Sequence, residues 1–169
     1  AQKIELHSLY VRTGNQILAI NTLFQLLALQ EEQPDLLRRA KHLLFIPDLL
    51  AAMLGADLTW ERSIASTSQM WNPVAGTWDL ELLRQMGMDP GLFGAMTDSG
   101  SIIGALPDST KIIAVAGHDT QCAVAAMPVE EGESAAFLSC GTWSLIGCEL
   151  EGKKFGVVGT GAIGMNVAR

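Results

Sequence analysis

Basic residues are in short supply. Against 18 Asp and Glu the chain carries 11 Lys and Arg, a formal net charge of −7. Binding nucleic acid or an acidic membrane surface needs clustered cations that displace counterions, and this balance argues against both. It leaves room for a local site that takes a phosphorylated ligand. Cysteine is scarce too. Cys122, Cys140 and Cys148 are odd in number and none is spaced as CxxC, so they define neither a disulfide framework nor a zinc site. Reduced, buried thiols in a cytoplasmic protein are the expectation. No apolar run reaches the ~18 residues of a membrane span, and no cationic start followed by an apolar stretch marks a secretory signal. Internal repeats and low-complexity tracts are absent. The first residue is Ala1, running directly into Gln2-Lys3-Ile4-Glu5-Leu6. An internal piece of a longer chain is expected, although removal of an initiator Met gives the same start.

What is present is apolar. Hydrophobic residues make up 49% of the 169 residues, enough to bury a core in one domain or two small ones. Residues 1–60 read as helix-rich. Thr13, Gly14 and Asn15 cap a helix whose apolar stripe runs through Ile17, Ile20, Leu23, Phe24 and Leu27, widened by Leu18, Leu26 and Leu29. Pro34 suits the first turn of a short helix from Asp35 to Lys41, and Pro47 opens another that ends at Gly55. Residues 57–79 are irregular and rich in Thr, Ser and Trp. Asp79 to Met86 is a short helix stopped by Gly87, and turn residues fill 87–110 around a short strand at Ile102-Ile103. The second half changes character. Ile112-Ile113-Ala114-Val115-Ala116 reads as a buried strand, Gln121 to Met127 as a helix, and Glu130-Glu131-Gly132-Glu133 as a linker. Strands are expected at Ala135–Ser139 and Trp143–Cys148.

Three segments carry candidate chemistry. His118-Asp119-Thr120 follows the apolar strand, and polar groups at the carboxyl end of a strand face the crevice where α/β proteins bind ligands. A carboxylate there can take the proton of an attacking hydroxyl, with His118 and Thr120 orienting other hydroxyls. The competing reading has Asp119 capping the next helix. Ser139-Cys140-Gly141-Thr142-Trp143-Ser144 is the second segment. Its Gly-Thr turn offers backbone N–H groups and a hydroxyl to phosphate oxygens, or is a plain hairpin turn. The third is the tail Gly159-Thr160-Gly161-Ala162-Ile163-Gly164, a GxGxxG after an apolar strand, as in a dinucleotide-binding fingerprint. The acidic residue that would hold the ribose about 20 positions on has no counterpart before Arg169. His7 and His42 have no ligand-spaced partners, and Trp60, Trp71, Trp78 and Trp143 are packing residues by default. Asp57, Glu61 and Asp79 are carboxylates of a kind that pair as acid and base, with nothing in the sequence to bring them together, and Arg38-Arg39-Lys41 is a solvated helix face.

The order of segments resembles the rhamnulokinases among the FGGY carbohydrate kinases. Tyr10-Val11-Arg12-Thr13-Gly14, Asn21-Thr22-Leu23-Phe24-Gln25-Leu26 and Ile46-Pro47-Asp48 look like the middle of the first kinase domain. Thr59-Trp60-Glu61, Ala65-Ser66-Thr67-Ser68-Gln69 and Thr77-Trp78-Asp79 follow in the family's order, and Gly117-His118-Asp119-Thr120 resembles the motif that supplies its catalytic aspartate. Ser139 to Ser144 resembles its second phosphate motif, with Cys140 where Ser is common. The likeness covers about residues 5–150.

That resemblance implies an α/β fold: part of an actin-like, ribonuclease-H-like kinase domain (residues 1–128) plus the first strands of a second such domain (133–150). It implies Asp119 as the base for the 1-hydroxyl of L-rhamnulose or a related ketose. His118, Asp119 and Thr120 would contact the sugar, Gly141 and Thr142 the ATP phosphates, and Mg²⁺ would assist. The family's opening Asp-x-Gly-Thr-x-x-x-Arg loop and its adenosine-binding segment do not occur in the chain, so the chain by itself is expected to be inactive. After Leu150 the likeness stops. Residues 153–169 instead resemble the Rossmann-like start of an NAD-binding sugar or inositol dehydrogenase, with a junction near Glu151-Gly152-Lys153 from a fused, rearranged or misassembled frame. An NAD-dependent dehydrogenase fragment and a non-catalytic interaction module are the alternatives.

Overall fold

The computed structural model describes residues 4–130, 135–140, 144–148 and 156–159. They divide into two compact units, Ala1–His118 and Asp119–Arg169.

The first unit begins with α1, Leu6–Thr13, whose last turn closes on Gly14 at φ 72°. That left-handed conformation suits glycine and ends the helix. The expected helix after Asn15 is therefore corrected. Gly14 closes one helix instead of opening the next, Ile17 and Ile20 lie in a connecting loop, and α2 spans Thr22–Glu32. The loop is fixed by Asn21, whose Oδ1 accepts the Leu18 N–H at 2.7 Å and whose Nδ2 donates to the Thr67 carbonyl at 3.0 Å. Only one face of α2, with Leu23 and Leu26, is fully buried. Two prolines in first turns open α3, Pro34–Arg39, and α4, Ile46–Met53, as their sequences lead one to expect.

The stretch 57–79 holds more regular structure than its composition announces. It contains β1 (Trp60–Glu61), α5 (Arg62–Ala65), a 3₁₀ turn (Ser66–Ser68), β2 (Trp71–Asn72) and β3 (Thr77–Trp78). Next come α6, Leu80–Gln85, capped by the Asp79 side chain on the Leu82 N–H, and β4, Met96–Thr97. β1 pairs in parallel with β4, and β2 pairs antiparallel with β3. These two-residue strands are held by what surrounds them. Leu9, Leu23, Met70, Leu82 and Leu83 are fully buried in one core with Trp60 and Trp78. The Trp78 ring lies 4.8 Å from Phe93 and 6.3 Å from Phe45 between centroids, and its Nε1 donates to the Gly94 carbonyl at 2.8 Å. A buried indole needs such a partner for its N–H. Gly94 cannot be larger, because an added Cβ would stand 2.1 Å from Trp60 Cζ3.

β5 (Ile102–Ala105) and β6 (Lys111–Ile113) form an antiparallel hairpin. The buried strand expected at 112–116 is corrected here: Ile112 is 8% exposed, but Ile113 is 44% and Val115 61% exposed. A hairpin that packs one face against Ala51, Ala56 and Leu106 alternates inside and outside, where a strand in a covered parallel sheet would not.

The second unit begins with α7, Asp119–Ala125, two residues earlier than the sequence implies. Its sheet is an antiparallel meander of β7 (Ala136–Cys140), β8 (Ser144–Cys148) and β9 (Gly156–Gly159). β7 and β8 fall within a residue of the expected strands. Phe137 is buried, while Leu138 and its register partner Ile146 face outward. The strand leading into the GxGxxG is β9, and it runs antiparallel to β8. Residues 160–169, with the rest of that motif, and the linker residues 131–134 lie outside the described residues. Among the described residues no helix is long and apolar enough to cross a membrane.

Candidate functional site

In the first unit one cluster of hydrogen bonds converges on Glu61, which is 1% exposed. Its carboxylate accepts five hydrogen bonds. Oε1 takes the Ser63 N–H at 2.9 Å and the Ser99 hydroxyl at 2.5 Å. Oε2 takes the Ser63 hydroxyl at 2.6 Å and the N–H groups of Ile64 and Gly117, both at 3.1 Å. Burial pushes the Glu61 carboxyl up, but the Ser63 and Ser99 hydroxyls and the Ser63 and Gly117 N–H groups outweigh it and hold the group below its ordinary value. Glu61 is therefore a buried anion at neutral pH.

Asp48, 4% exposed, has the opposite balance. Burial raises its carboxyl to about 6, opposed by the Glu61 N–H on Oδ1 and reinforced by the Glu61 charge. Its Oδ2 has no hydrogen-bond partner among the described residues, and neither has the buried Thr59 hydroxyl. Environment thus separates two neighbouring carboxylates, one ionised and one that titrates near 6.

The segment Ala65 to Gln69 is tied to the loop after α1. Gln69 is fully buried at φ 65°, an uncommon backbone region for a residue with a side chain. Its Oε1 accepts the Thr13 hydroxyl at 3.0 Å and its Nε2 donates to the Asn15 carbonyl at 3.2 Å. Asn15 Nδ2 donates to the Ser66 carbonyl. In the same last turn of α1, Arg12 forks onto the buried Asp79 carboxylate and reaches Glu81 at 3.0 Å. The Asp79 hydrogen bond and charge, against burial, raise the Arg12 guanidinium above its ordinary value. Asp79 therefore serves as an ion-pair partner and helix cap, and Glu61 as a multiple acceptor. The two are engaged separately.

The expected site residues sit as follows. His118 closes the first unit, its N–H donating to the Ser63 hydroxyl at 3.2 Å. Its Nδ1 is buried and without a hydrogen-bond partner among the described residues. Asp119, exposed, is the first residue of α7, and its Oδ1 accepts both the N–H and the hydroxyl of Thr120, at 2.6 and 3.2 Å. Asp119 is inside the helix instead of capping it two or three residues ahead. Its Oδ2 makes no hydrogen bond among the described residues. Gly141 and Thr142 lie outside the described residues, between Cys140 and Ser144, which pair in register. Among the described residues no group of three or more His, Cys, Asp and Glu is arranged to hold a metal ion. Ser63 and Ser99 escaped sequence reading. The one available signal was Glu61-x-Ser63 ahead of a turn, an acceptor two to three residues before free N–H groups.

Residues 1–129 match the FGGY family of carbohydrate kinases, N-terminal domain. This chain belongs to the FGGY carbohydrate kinase family. It is 44% identical over 152 residues to a rhamnulokinase of Yersinia pestis (strain Pestoides F), covering 88% of this chain and 31% of that relative. It is 42% identical over 145 residues to a rhamnulokinase of Enterobacter sp. (strain 638), covering 83% of this chain and 29% of that relative. The chain thus spans about three tenths of the length of the curated relatives it matches. Among solved structures, a xylulose kinase from Rhodospirillum rubrum superposes with a TM-score of 0.71 at 17% identity, covering 85% of this chain and 31% of that one. The fold of this FGGY chain is accordingly part of the actin-like, ribonuclease-H-like architecture of these kinases.

Proposed function

We propose that the chain is part of an ATP-dependent kinase that transfers a phosphoryl group to the 1-hydroxyl of L-rhamnulose, or of a related ketose, in rhamnose catabolism. The observation that carries this reading is Gly117-His118-Asp119-Thr120, with an exposed carboxylate whose Oδ2 makes no hydrogen bond among the described residues, in a chain 42–44% identical to rhamnulokinases. In this reading residues 1–128 are the second half of a first kinase domain, 133–150 begin a second one, and 153–169 are a Rossmann-like start unrelated to either. The protein works in the cytoplasm.

Asp119 Oδ2 takes the proton of the sugar 1-hydroxyl as its oxygen attacks the γ-phosphorus, the bond to the β,γ-bridging oxygen breaks and ADP leaves. Thr120, already hydrogen-bonded to Oδ1, holds the carboxylate and offers its oxygen to a sugar hydroxyl. His118, whose Nδ1 is buried without a hydrogen-bond partner among the described residues, contacts another through its exposed part. Gly141 and Thr142 hold phosphate oxygens. Magnesium in such reactions is held largely by the phosphates with one or two carboxylates, and the described residues bring together no group of three or more His, Cys, Asp and Glu to serve as its ligands. When bound, Mg²⁺ neutralises charge on the phosphates.

The test grafts residues 5–150 in place of the matching segment of the Yersinia pestis rhamnulokinase and follows ADP release with L-rhamnulose. The grafted enzyme is expected to turn over, and Asp119→Asn to lower kcat by about 10²–10⁴-fold, the usual weight of a general base. The 169-residue chain alone is expected to release no ADP. Equal rates with and without Asp119→Asn would refute the role of the carboxylate.

A further inference from the structure

The acceptor work of Glu61 exceeds what its place at the start of α5 requires. A helix cap satisfies N–H groups two and three residues on, here Ser63 and Ile64, and Ser, Asp or Asn does this with a shorter side chain. The longer Glu61 also takes the Ser99 hydroxyl, 38 residues away, and the Gly117 N–H, 56 residues away. Ser63, whose hydroxyl donates to Glu61, accepts the very next N–H, that of His118. The last two backbone donors before Asp119 are thus taken by one connected pair of side chains. Packing closes the same place from the other side. A Cβ on Gly117 would come within 3.0 Å of Ile64 Cβ and 3.1 Å of Pro47 Cγ. The main chain of Glu61 is itself held, its N–H donating to Asp48 Oδ1 at 3.2 Å.

We infer that Glu61 is a positioning residue, acting through Ser63 and the Gly117-His118 backbone to fix the chain from which Asp119 follows. The inference rests on Asp119 being the proton acceptor. Glutamine keeps the shape of Glu61 but offers one acceptor oxygen and an NH₂. Whichever way its amide turns, a donor faces at least one backbone N–H, of Ser63 on one side or of Ile64 and Gly117 on the other. The Ser99 and Ser63 hydroxyls can rotate to accept, but a backbone N–H cannot. Glu61→Gln should therefore loosen the clamp without emptying the core.

Two measurements separate this role from plain stability. In the 169-residue chain, amide exchange at Gly117 and His118 is expected to speed up by about tenfold or more in Glu61→Gln, while amides of Leu23 and Leu82 keep their rates. In the grafted kinase, kcat is expected to fall by about 10–100-fold, the scale of a small misplacement of a reacting group, with the KM for ATP within about twofold. Ser63→Ala, which removes only the His118 acceptor and one donor to Glu61, is expected to show both effects more weakly. It stands in if Glu61→Gln does not fold. Gly14→Ala, a destabilising change remote from Glu61, should leave kcat unchanged. Unchanged kcat in Glu61→Gln and Ser63→Ala, or exchange that rises equally at Leu23 and Leu82, would overturn the inference. If Asp119→Asn keeps full kcat, the kinase role of Asp119 fails instead, and the exchange data still report whether the clamp exists.

Discussion

Replacing Asp48 by Asn should make the fold more stable at pH 7.5 and leave it almost unchanged at pH 4. The magnitude follows from the carboxyl's raised value. Burial, with the Glu61 charge nearby, moves it from 3.8 to about 6. Between those values the unfolded chain has lost the proton and the folded chain has kept it, so stability falls as pH rises. The cost is absent below 3.8, accumulates up to about 6, and is complete above it. At 1.36 kcal/mol per unit the full cost is ~3 kcal/mol. Asn keeps an oxygen for the Glu61 N–H and carries no charge, so it escapes this penalty. Its amide leaves a polar atom where Oδ2 stood without a partner, much as the protonated acid does. Urea denaturation of both proteins from pH 4 to pH 8 reads the effect, as does an increase in Tm of about 6–12 °C at pH 7.5. The Glu61 carboxyl works the other way. It is held below its ordinary value, so its contribution is complete above the unfolded value of 4.5 and is lost as pH falls through its folded value. It is common to both proteins and largely cancels in their difference. A stability difference between mutant and wild type that is the same at pH 4 and pH 7.5 would refute the reasoning, since it would mean that Asp48 is buried without a charge penalty.

Arg12→Ala strips the fork from an Asp79 side chain that is 3% exposed, and should cost about 3–5 kcal/mol in urea denaturation. Arg12→Lys should recover part of this, because an ammonium cannot reproduce the paired N–H groups. Gly94→Ala forces a methyl into the Trp60 ring and should cost about 1–3 kcal/mol, with a change in Trp fluorescence as the indole shifts. Gly14→Ala meets no atom within 4 Å yet must adopt φ 72°, so its cost is conformational, about 1 kcal/mol, with no spectral change.

How far the sequence reached depends on where its information lies. Prolines in first turns and glycines at helix ends act on their own backbone, so α3, α4 and the stop of α6 at Gly87, φ 73°, could be read directly. The antiparallel strands β7 and β8 were legible for the same reason, each being a short apolar run between turn residues. Gly14 shows the limit. A glycine punctuates, but whether it closes one helix or opens the next depends on which neighbour finds a core, and Leu9 does so at 0% exposure. The run Ile112 to Ala116 shows it again, because five apolar residues look alike whether a sheet is covered on one face or two. Only packing against Ala51, Ala56 and Leu106 turned Ile113 outward. At the candidate site, His118, Asp119 and Thr120 were expected from the sequence because the motif is contiguous. The tertiary structure decided the fate of the carboxylates. Asp48 and Glu61 are 13 residues apart, two carboxylates of similar ordinary acidity. One is met by five donors and stays charged, while the other accepts a single N–H and holds its proton to about 6. Ser63 and Ile64 are local donors that Glu61-x-Ser63 hints at, but Ser99 and Gly117, 38 and 56 residues away, are brought only by folding, and no local pattern announces them.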